Sequence, residues 1–505
     1  TTGQGWRMAR IATIVPARYI LALLNAIGMA IIYGLKVNLS VAIVAMVNHT
    51  AVANLGEHHD DHEEKAAACS EPNVNGTASE GFGDGPFTWD EPTQGLVLGS
   101  YFWGYLVSQF PGGRLSEMFS GKHLFGIGGL LNIAATLLSP VAAKASYIAF
   151  IFMRVIEGIG GGITFPATHV MLSKWAPPVE RPKLSSIIYA GTALGTVISL
   201  PLSGILASEL GWEAVFYVQG GLSVGWYILW LIFVYDSPDQ HPFIAKEEKD
   251  YINNSIGNKP NTQRPPVPWR KILTSKSFWA ILIAHTCSNW GWYMLLVELP
   301  TFMKYILNFD IKENALLSAV PYLCMWLFGM AFGSVASVLL RKNLVGVTLV
   351  RKVATAIASI PPAICLIAVT YTGCDRTTAV ILLTVGVTCI AGMYSGFLTN
   401  HIDIGPNFAG TLMALTNTVA TIPGFTVPVF VGAMTHGNQT VEQWRIIFFI
   451  TAALWVVEVV VYTIFGSGEE QPWNKATEGG DAEDKAGETV QLKKVESPDD
   501  EDTRP

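Results

Sequence analysis

The chain has 505 residues, of which 50% are apolar and only 14% charged, where soluble domains carry about a quarter charged residues. Half the chain is enough for about twelve membrane helices of about 20 residues each, which argues strongly against a soluble enzyme. Net charge is −7, with no basic-aromatic cluster, so a nucleic-acid partner is not expected.

Hydropathy divides the chain in order. An N-terminal stretch, 1–18, leads into a first bundle over 19–235. Its spans lie at about 19–47, 93–116, 122–143, 146–172, 184–208 and 212–235, with a polar loop, 48–92, after the first. No cleavable signal peptide is evident: the first span is too long for such a region and lacks a small-residue cleavage site. A hydrophilic linker, 236–277, contains the proline-rich NKPNTQRPPVPW. The second bundle, 278–466, has spans at about 278–305, 314–339, 350–371, 377–401, 409–434 and 444–466. An acidic tail, 467–505, reads as disordered and solvated. The expected fold is an all-α membrane protein of twelve helices in two six-helix bundles. The loop after the first span and the tail are both strongly acidic, so the membrane body between them is basic.

With the N-terminus in the cytosol, 24 Lys and Arg residues fall on the cytosolic side and five on the other. That bias places both termini inside. The sequons at Asn48, Asn75 and Asn438 then fall outside, where glycosylation is allowed. Cys69 and Cys374 also lie outside. A bridge between them and two free thiols remain equal alternatives, because sequence carries no geometry. The halves show a weak repeat at an offset of 220 residues: Gly113 aligns with Gly333, Glu117 with Ser337, and Lys122 with Lys342. A duplicated six-plus-six chain is a transporter plan.

Ionisable side chains inside spans cost about 2.5–3.5 kcal/mol each on insertion scales, so each needs a reason. Lys36 lies about 16 Å deep by helical rise, Arg154 about 10 Å and Glu157 about 15 Å. Arg154 and Glu157 are spaced i, i+3 and can pair. The three sum to +1, which attracts an anion in low dielectric. The plainer alternative has Arg154 and Glu157 paired and Lys36 bonded to carbonyls. His169, near the cytosolic end of the same helix, is a candidate proton relay or a hydrogen-bonded helix-end histidine. The second half is expected to lack counterpart charges. It offers Asn289 and Tyr293 on one helix face and Asn417 mid-span, suited to ligand oxygens or to another helix, with Pro423 as a kink. The run EHHDDHEE reads as a solvated acidic loop rather than a metal site. No P-loop, G-x-S-x-G or H-E-x-x-H occurs, so an enzyme is not expected.

The segments ARYILALLNAIGMAIIYGLKVNLSVAIV, WDEPTQGLVLGSYFWGYLVSQFPGG, RVIEGIGGGITFPATH, KWAPPVERPKLSSIIYAGTALGTVISLPLSG and TNTVATIPG closely resemble the animal organic-anion branch of the major facilitator superfamily, solute carrier family 17. The resemblance spans about 17–466. It implies two six-helix bundles, alternating access, and anion transport driven by sodium or protons. By the same resemblance Arg154, Glu157 and His169 match the family's fourth-helix charges, and Tyr33 and Tyr293 match aromatics that line its cavity. Lys36 stands where relatives usually have Arg, and Gly161 where sialin-like and glutamate carriers have a second Glu. Leu98 and Ser288 replace a His and an Arg of the glutamate carriers, which disfavours vesicular glutamate transport. The expectation is therefore an anion:cation symporter for inorganic phosphate or a small organic anion. Substrate-binding candidates are Lys36, Arg154, Tyr33, Asn289, Tyr293 and Asn417; coupling candidates are Glu157 and His169. The alternatives are a lysosomal sialin-like exporter of acidic sugars or amino acids with protons, and, from another class, an uncoupled anion channel or receptor. No cofactor or metal is expected beyond the coupling ion, Na+ or H+. A monomer in the plasma membrane or in a lysosomal or vesicular membrane is expected.

Overall fold

The computed structural model describes residues 16–48, 85–89, 91–257, 267–307, 311–373, 375–435 and 440–474. Cys69, Cys374, Asn75 and Asn438 lie outside these residues, as does most of the 48–92 loop. In the first half, α1 is Ala17–Met46, α2 Glu91–Met118, α3 Gly121–Ala145, α4 Tyr147–Trp175, α5 Arg181–Leu210 and α6 Trp212–Phe233. The linker holds α7 (Lys246–Ile256) and α8 (Trp269–Leu273). The second half has α9 (Lys276–Tyr305), α10 (Ile311–Arg341), α11 (Val347–Val369), α12 (Arg376–Ile390), α13 (Phe397–Ile404), α14 (Ala409–Ala420), α15 (Pro423–Thr435) and α16 (Val441–Phe465).

Among the described residues, ten spans are long and apolar enough to cross a membrane, α12 with α13 and α14 with α15 each counting as one. The remaining long helices are α2, with 28 residues, and α9, with 30. Gln94, Gln109, Arg114 and Glu117 make α2 more polar than its neighbours; Gln109 and Glu117 bond to Thr421 and Thr411 of the other half. With α2 and α9 the chain is a twelve-span, all-helical membrane protein. Val107, Ile148, Phe152, Leu222 and Val429 are exposed around the outside. Water would not tolerate that much contiguous apolar surface, but a bilayer does.

Helix ends follow local chemistry. Ser120 accepts a bond from the His123 amide at the start of α3, and Ser146 from the Ile148 amide at the start of α4. No side chain on α1 itself caps its start. Glu248 of α7 does so across the fold, accepting from the Ala17 and Arg18 amides at 2.8 and 3.2 Å and from the Arg18 guanidinium at 2.8 Å. A carboxylate is favoured at a helix N-terminus, so the linker is stapled beneath the first half. The chain breaks at Thr421–Ile422 just before Pro423, which cannot continue the hydrogen-bond ladder. It breaks again between α12 and α13, where a Cβ on Gly396 would lie 2.6 Å from Thr355 Oγ1 and 2.9 Å from its amide. Helix α4 packs on α2 through glycines: Gly158 meets the Tyr101 carbonyl and Gly162 the Tyr105 carbonyl, with no space for a side chain.

The two halves meet along α2–α14 and α5–α10. The repeat-related glycines sit at these crossings. A Cβ on Gly113 would be 2.6 Å from the Gly410 carbonyl of α14, and one on Gly333 would be 2.8 Å from the Pro182 carbonyl of α5. Glu117 accepts from the Thr411 amide and hydroxyl, both at 2.6 Å, and its repeat counterpart Ser337 accepts from the Lys183 amide at 3.2 Å. Each half thus caps the start of a helix belonging to the other.

The expectation of a charge-free second half does not hold. Arg351 and Asp403 are buried there and paired at 2.7 Å, and Asp403 also takes Arg181 of the first half at 3.0 Å. Glu458 of α16 is buried as well. All are charges that the insertion cost itself flags. Arg351 lies within two turns of the start of α11, where it reads as a loop residue, and the aliphatic run around Glu458 hides it.

Candidate anion site

The fourth-helix pair forms as the i, i+3 spacing predicts. Arg154 donates to Glu157, and both are buried, at 2% and 0% exposure. Glu157 also accepts from the Thr136 hydroxyl at 3.0 Å and Ser139 at 3.4 Å. Arg154 further donates to the Lys36 carbonyl at 3.1 Å and the Leu35 carbonyl at 3.5 Å. This guanidinium is neutralised and tied to the backbone of α1. It does not stand free to meet a ligand in this state.

Lys36 differs. Its side chain is half-buried, and among the described residues no carboxylate pairs with it. Its ammonium lies over five rings: Phe102 at 4.5 Å, Tyr33 at 5.1 Å, Tyr105 at 5.4 Å, Tyr101 at 5.5 Å and Tyr293 at 5.6 Å. A desolvated cation–π contact contributes about 2 kcal/mol. Together they make the site tolerable for a cation, but a quadrupole carries no net charge and leaves +1 in place. Two neighbouring donors are also unsatisfied. Tyr101 Oη and Arg154 Nε are buried without acceptors, and the Arg154 guanidinium lies 5.3 Å over the Tyr101 ring. A buried donor without a partner costs about 1–3 kcal/mol. An acceptor-rich anion would remove that cost and the unpaired charge together.

Sequence reasoning selects Lys36, Tyr33 and Tyr293 but misses Tyr101, Phe102 and Tyr105. The signal available is the run YFWGY, in which 101, 102 and 105 recur at helical spacing. Gly161 explains how Tyr101 fits: its missing side chain leaves the space that the Tyr101 hydroxyl fills. A second Glu at 161 would displace this ring.

A cavity of about 40 Å³ adjoins the cage, lined by Tyr33, Tyr105 and Tyr293 from the cage and by Asn289, Asn417 and His285 from the second half. Asn289 donates to the Ala420 carbonyl at 2.7 Å and Asn417 to the Tyr105 hydroxyl at 3.2 Å. Both line the cavity, yet both are spent on helix–helix bonds here. The volume suits a few waters, so a ligand would require these bonds to open.

His169 lies away from the cage, on the linker side. One ring nitrogen is 2.6 Å from the Tyr189 hydroxyl and the other 2.9 Å from the Leu398 carbonyl of α13. The His401 ring is 5.4 Å away, and His401 Nε2 lies 2.7 Å from Thr416 Oγ1. With Ser186–Ser395 at 2.8 Å, Arg181–Asp403 and Glu117–Thr411, this joins the halves firmly beneath the cavity. His169 and His401 belong to that seal. Asn48 is half-buried and its amide donates to the Phe87 carbonyl at 2.8 Å.

The Major Facilitator Superfamily model matches residues 19–428. A Drosophila ananassae protein named "Putative inorganic phosphate cotransporter" is 41% identical over 458 residues, covering 90% of this chain and 93% of its own. Human sialin is 43% identical over 457 residues, covering 90% of each chain. Human vesicular glutamate transporter 2 is 38% identical over 463 residues, covering 91% of this chain and 75% of its own. Among solved structures, the proton:xylose symporter XylE superposes with a TM-score of 0.65 over 90% of this chain and 97% of its own, at 15% identity, a likeness of fold alone. An all-helical, twelve-span body, a family model covering most of its length and relatives above 40% identity place the chain in the major facilitator superfamily, as a multi-pass membrane transporter.

Proposed function

We propose that this chain is a secondary active anion transporter, carrying inorganic phosphate or a small organic anion in symport with protons, with Lys36 as the electrostatic anchor. One observation carries the reading: an ammonium without a carboxylate partner, caged by aromatic rings, beside two buried donors that lack acceptors. Relatives named inorganic phosphate cotransporter, sialin and vesicular glutamate transporter support an anionic substrate. Lysine offers a compact point charge, which suits phosphate as well as carboxylate.

Coupling follows from Glu157. In this state it holds Arg154. Protonation of Glu157 breaks the ion pair and frees the guanidinium, which already touches the Lys36 backbone. Two cations then face one anion, so proton binding and anion binding favour each other. Sodium in place of the proton would have to displace Arg154 from Glu157 by the same competition. Closure of the halves over the ligand and release of the linker-side seal give alternating access. The excess of Lys and Arg on the linker side puts both termini in the cytosol, with the sequons at Asn48, Asn75 and Asn438 on the other side. One chain suffices for this cycle, so the working unit is a monomer.

Uptake of radiolabelled phosphate, sialate, urate and glutamate into proteoliposomes tests the reading, each under an imposed proton or sodium gradient. Lys36→Ala and Arg154→Ala should reduce gradient-driven uptake to background, and Lys36→Arg should retain part of it. Parental uptake by Lys36→Ala would remove the proposed anchor.

A further inference from the structure

Glu458 plays no part in the site above. It lies on α16, seven residues before Phe465, or about 10 Å from that helix end by helical rise. It is fully buried, and neither carboxyl oxygen has a hydrogen-bond partner among the described residues. Helices α9, α11 and α15 pack against α16. From α9 the titratable neighbour is the Cys287 thiol, from α11 the polar neighbour is Ser359, and α15 carries no titratable side chain. On α16 itself Trp455 and Tyr462 flank Glu458; the Tyr462 hydroxyl already accepts from Asn400 at 2.8 Å. No Lys, Arg or His among the described residues pairs with Glu458.

The hydrogen-bond inventory decides which form of the acid fits. The Ser359 hydroxyl donates its one proton to the Thr355 carbonyl at 3.1 Å. What it has left to offer Glu458 is a lone pair. An ionised carboxylate is an acceptor only and would meet another acceptor in an apolar interior, without a counter-charge. A carboxylic acid brings its own donor and carries no charge. A hard metal cation would want about six oxygen ligands, and no group of three metal-ligating side chains occurs among the described residues.

We propose that Glu458 is a proton-binding site of the second half, holding a transferable proton at neutral pH and serving as a second coupling site alongside Arg154–Glu157. The coupling role rests on the proton-symport reading above; the protonated state does not. Infrared difference spectroscopy of the purified full-length protein, parent minus Glu458→Gln, tests the state. The proposal expects the carbonyl-stretch band of a protonated carboxyl, present at neutral pH and lost at alkaline pH. Carboxylate bands in its place overturn it. Gln is the uncharged isostere of the acid, so E458Q should keep the parental melting temperature. If it does not fold, Glu458→Asp, which keeps the acid but shifts its band, supplies the same assignment. Transport then tests the role. E458Q should lose several-fold of the acceleration that an inward proton gradient gives, while anion exchange at equal pH persists. A full gradient response in E458Q overturns the coupling role. Failure of the parent to move any anion would instead sink the transport reading and leave the infrared result standing.

Discussion

The two halves of this transporter are joined by equivalent helix crossings but hold their charges in different ways. At α2–α14 and α10–α5, repeat-related glycines let the helices touch backbone to backbone, and Glu117 and Ser337 cap helices across the divide. Mid-membrane charge breaks the symmetry. The first half keeps Lys36, Arg154 and Glu157 beside the cavity. The second half puts its buried ion pair, Arg351–Asp403, at the linker-side seal and leaves Glu458 without a partner. A duplicated scaffold therefore carries its charges beside the cavity in one half and at the linker-side seal in the other.

The largest break in that asymmetry should come from Glu157→Gln. Removing one partner of a buried ion pair costs about 3–5 kcal/mol, so the melting temperature of the ligand-free protein should fall markedly. Added anion should restore it more strongly than in the parent, because Arg154 is then free to bind. A melting temperature insensitive to anion would show that Arg154 stays with α1 whatever Glu157 does. The crossings should respond alike. Gly113→Val and Gly333→Val each force backbone apart, at about 1–3 kcal/mol of overpacking, and thermal melts should show similar losses. A large loss in one and none in the other would deny the equivalence. The caps should respond unequally. Glu117→Ala removes a charge-assisted pair of bonds worth about 1.5–3 kcal/mol each, while Ser337→Ala resembles a lost helix cap at about 1 kcal/mol.

The smallest effect lies outside the membrane spans, at Asp236. Burial raises its pKa, but the Lys174 ammonium, the Ser120 hydroxyl and the Lys122 amide together outweigh burial and hold it below the usual carboxylate range. A depressed folded-state pKa means that the stabilisation is complete above the unfolded value, about 3.9, and is lost as pH falls through the folded one. Asp236→Asn should therefore lower the melting temperature at neutral pH, and the gap to the parent should close in acid. A gap that does not narrow would show that the carboxylate contributes through packing.

Much of this was legible beforehand. Apolar runs and Lys/Arg bias mark the spans, and i, i+3 spacing finds Arg154–Glu157. The offset of 220 residues finds Gly113 with Gly333, though not what they touch. Sequence reasoning could not see that Arg154 is also tied to α1, because that depends on where the Leu35 and Lys36 carbonyls point. Nor could it see the Tyr101–Phe102–Tyr105 cage, whose residues read as ordinary helix packing until α2 and α1 are set side by side. His169 reads equally as a proton relay or as a hydrogen-bonded helix-end histidine. Its contacts with the Leu398 carbonyl and the Tyr189 hydroxyl show it hydrogen-bonded within the seal.

Equilibrium binding of the transported anion to purified protein, measured for the parent, Lys36→Ala and Lys36→Arg across pH, tests the central claim most directly. Binding that strengthens as pH falls, weakens in Lys36→Arg and vanishes in Lys36→Ala is the predicted result. Undiminished binding by a correctly folded Lys36→Ala would contradict it.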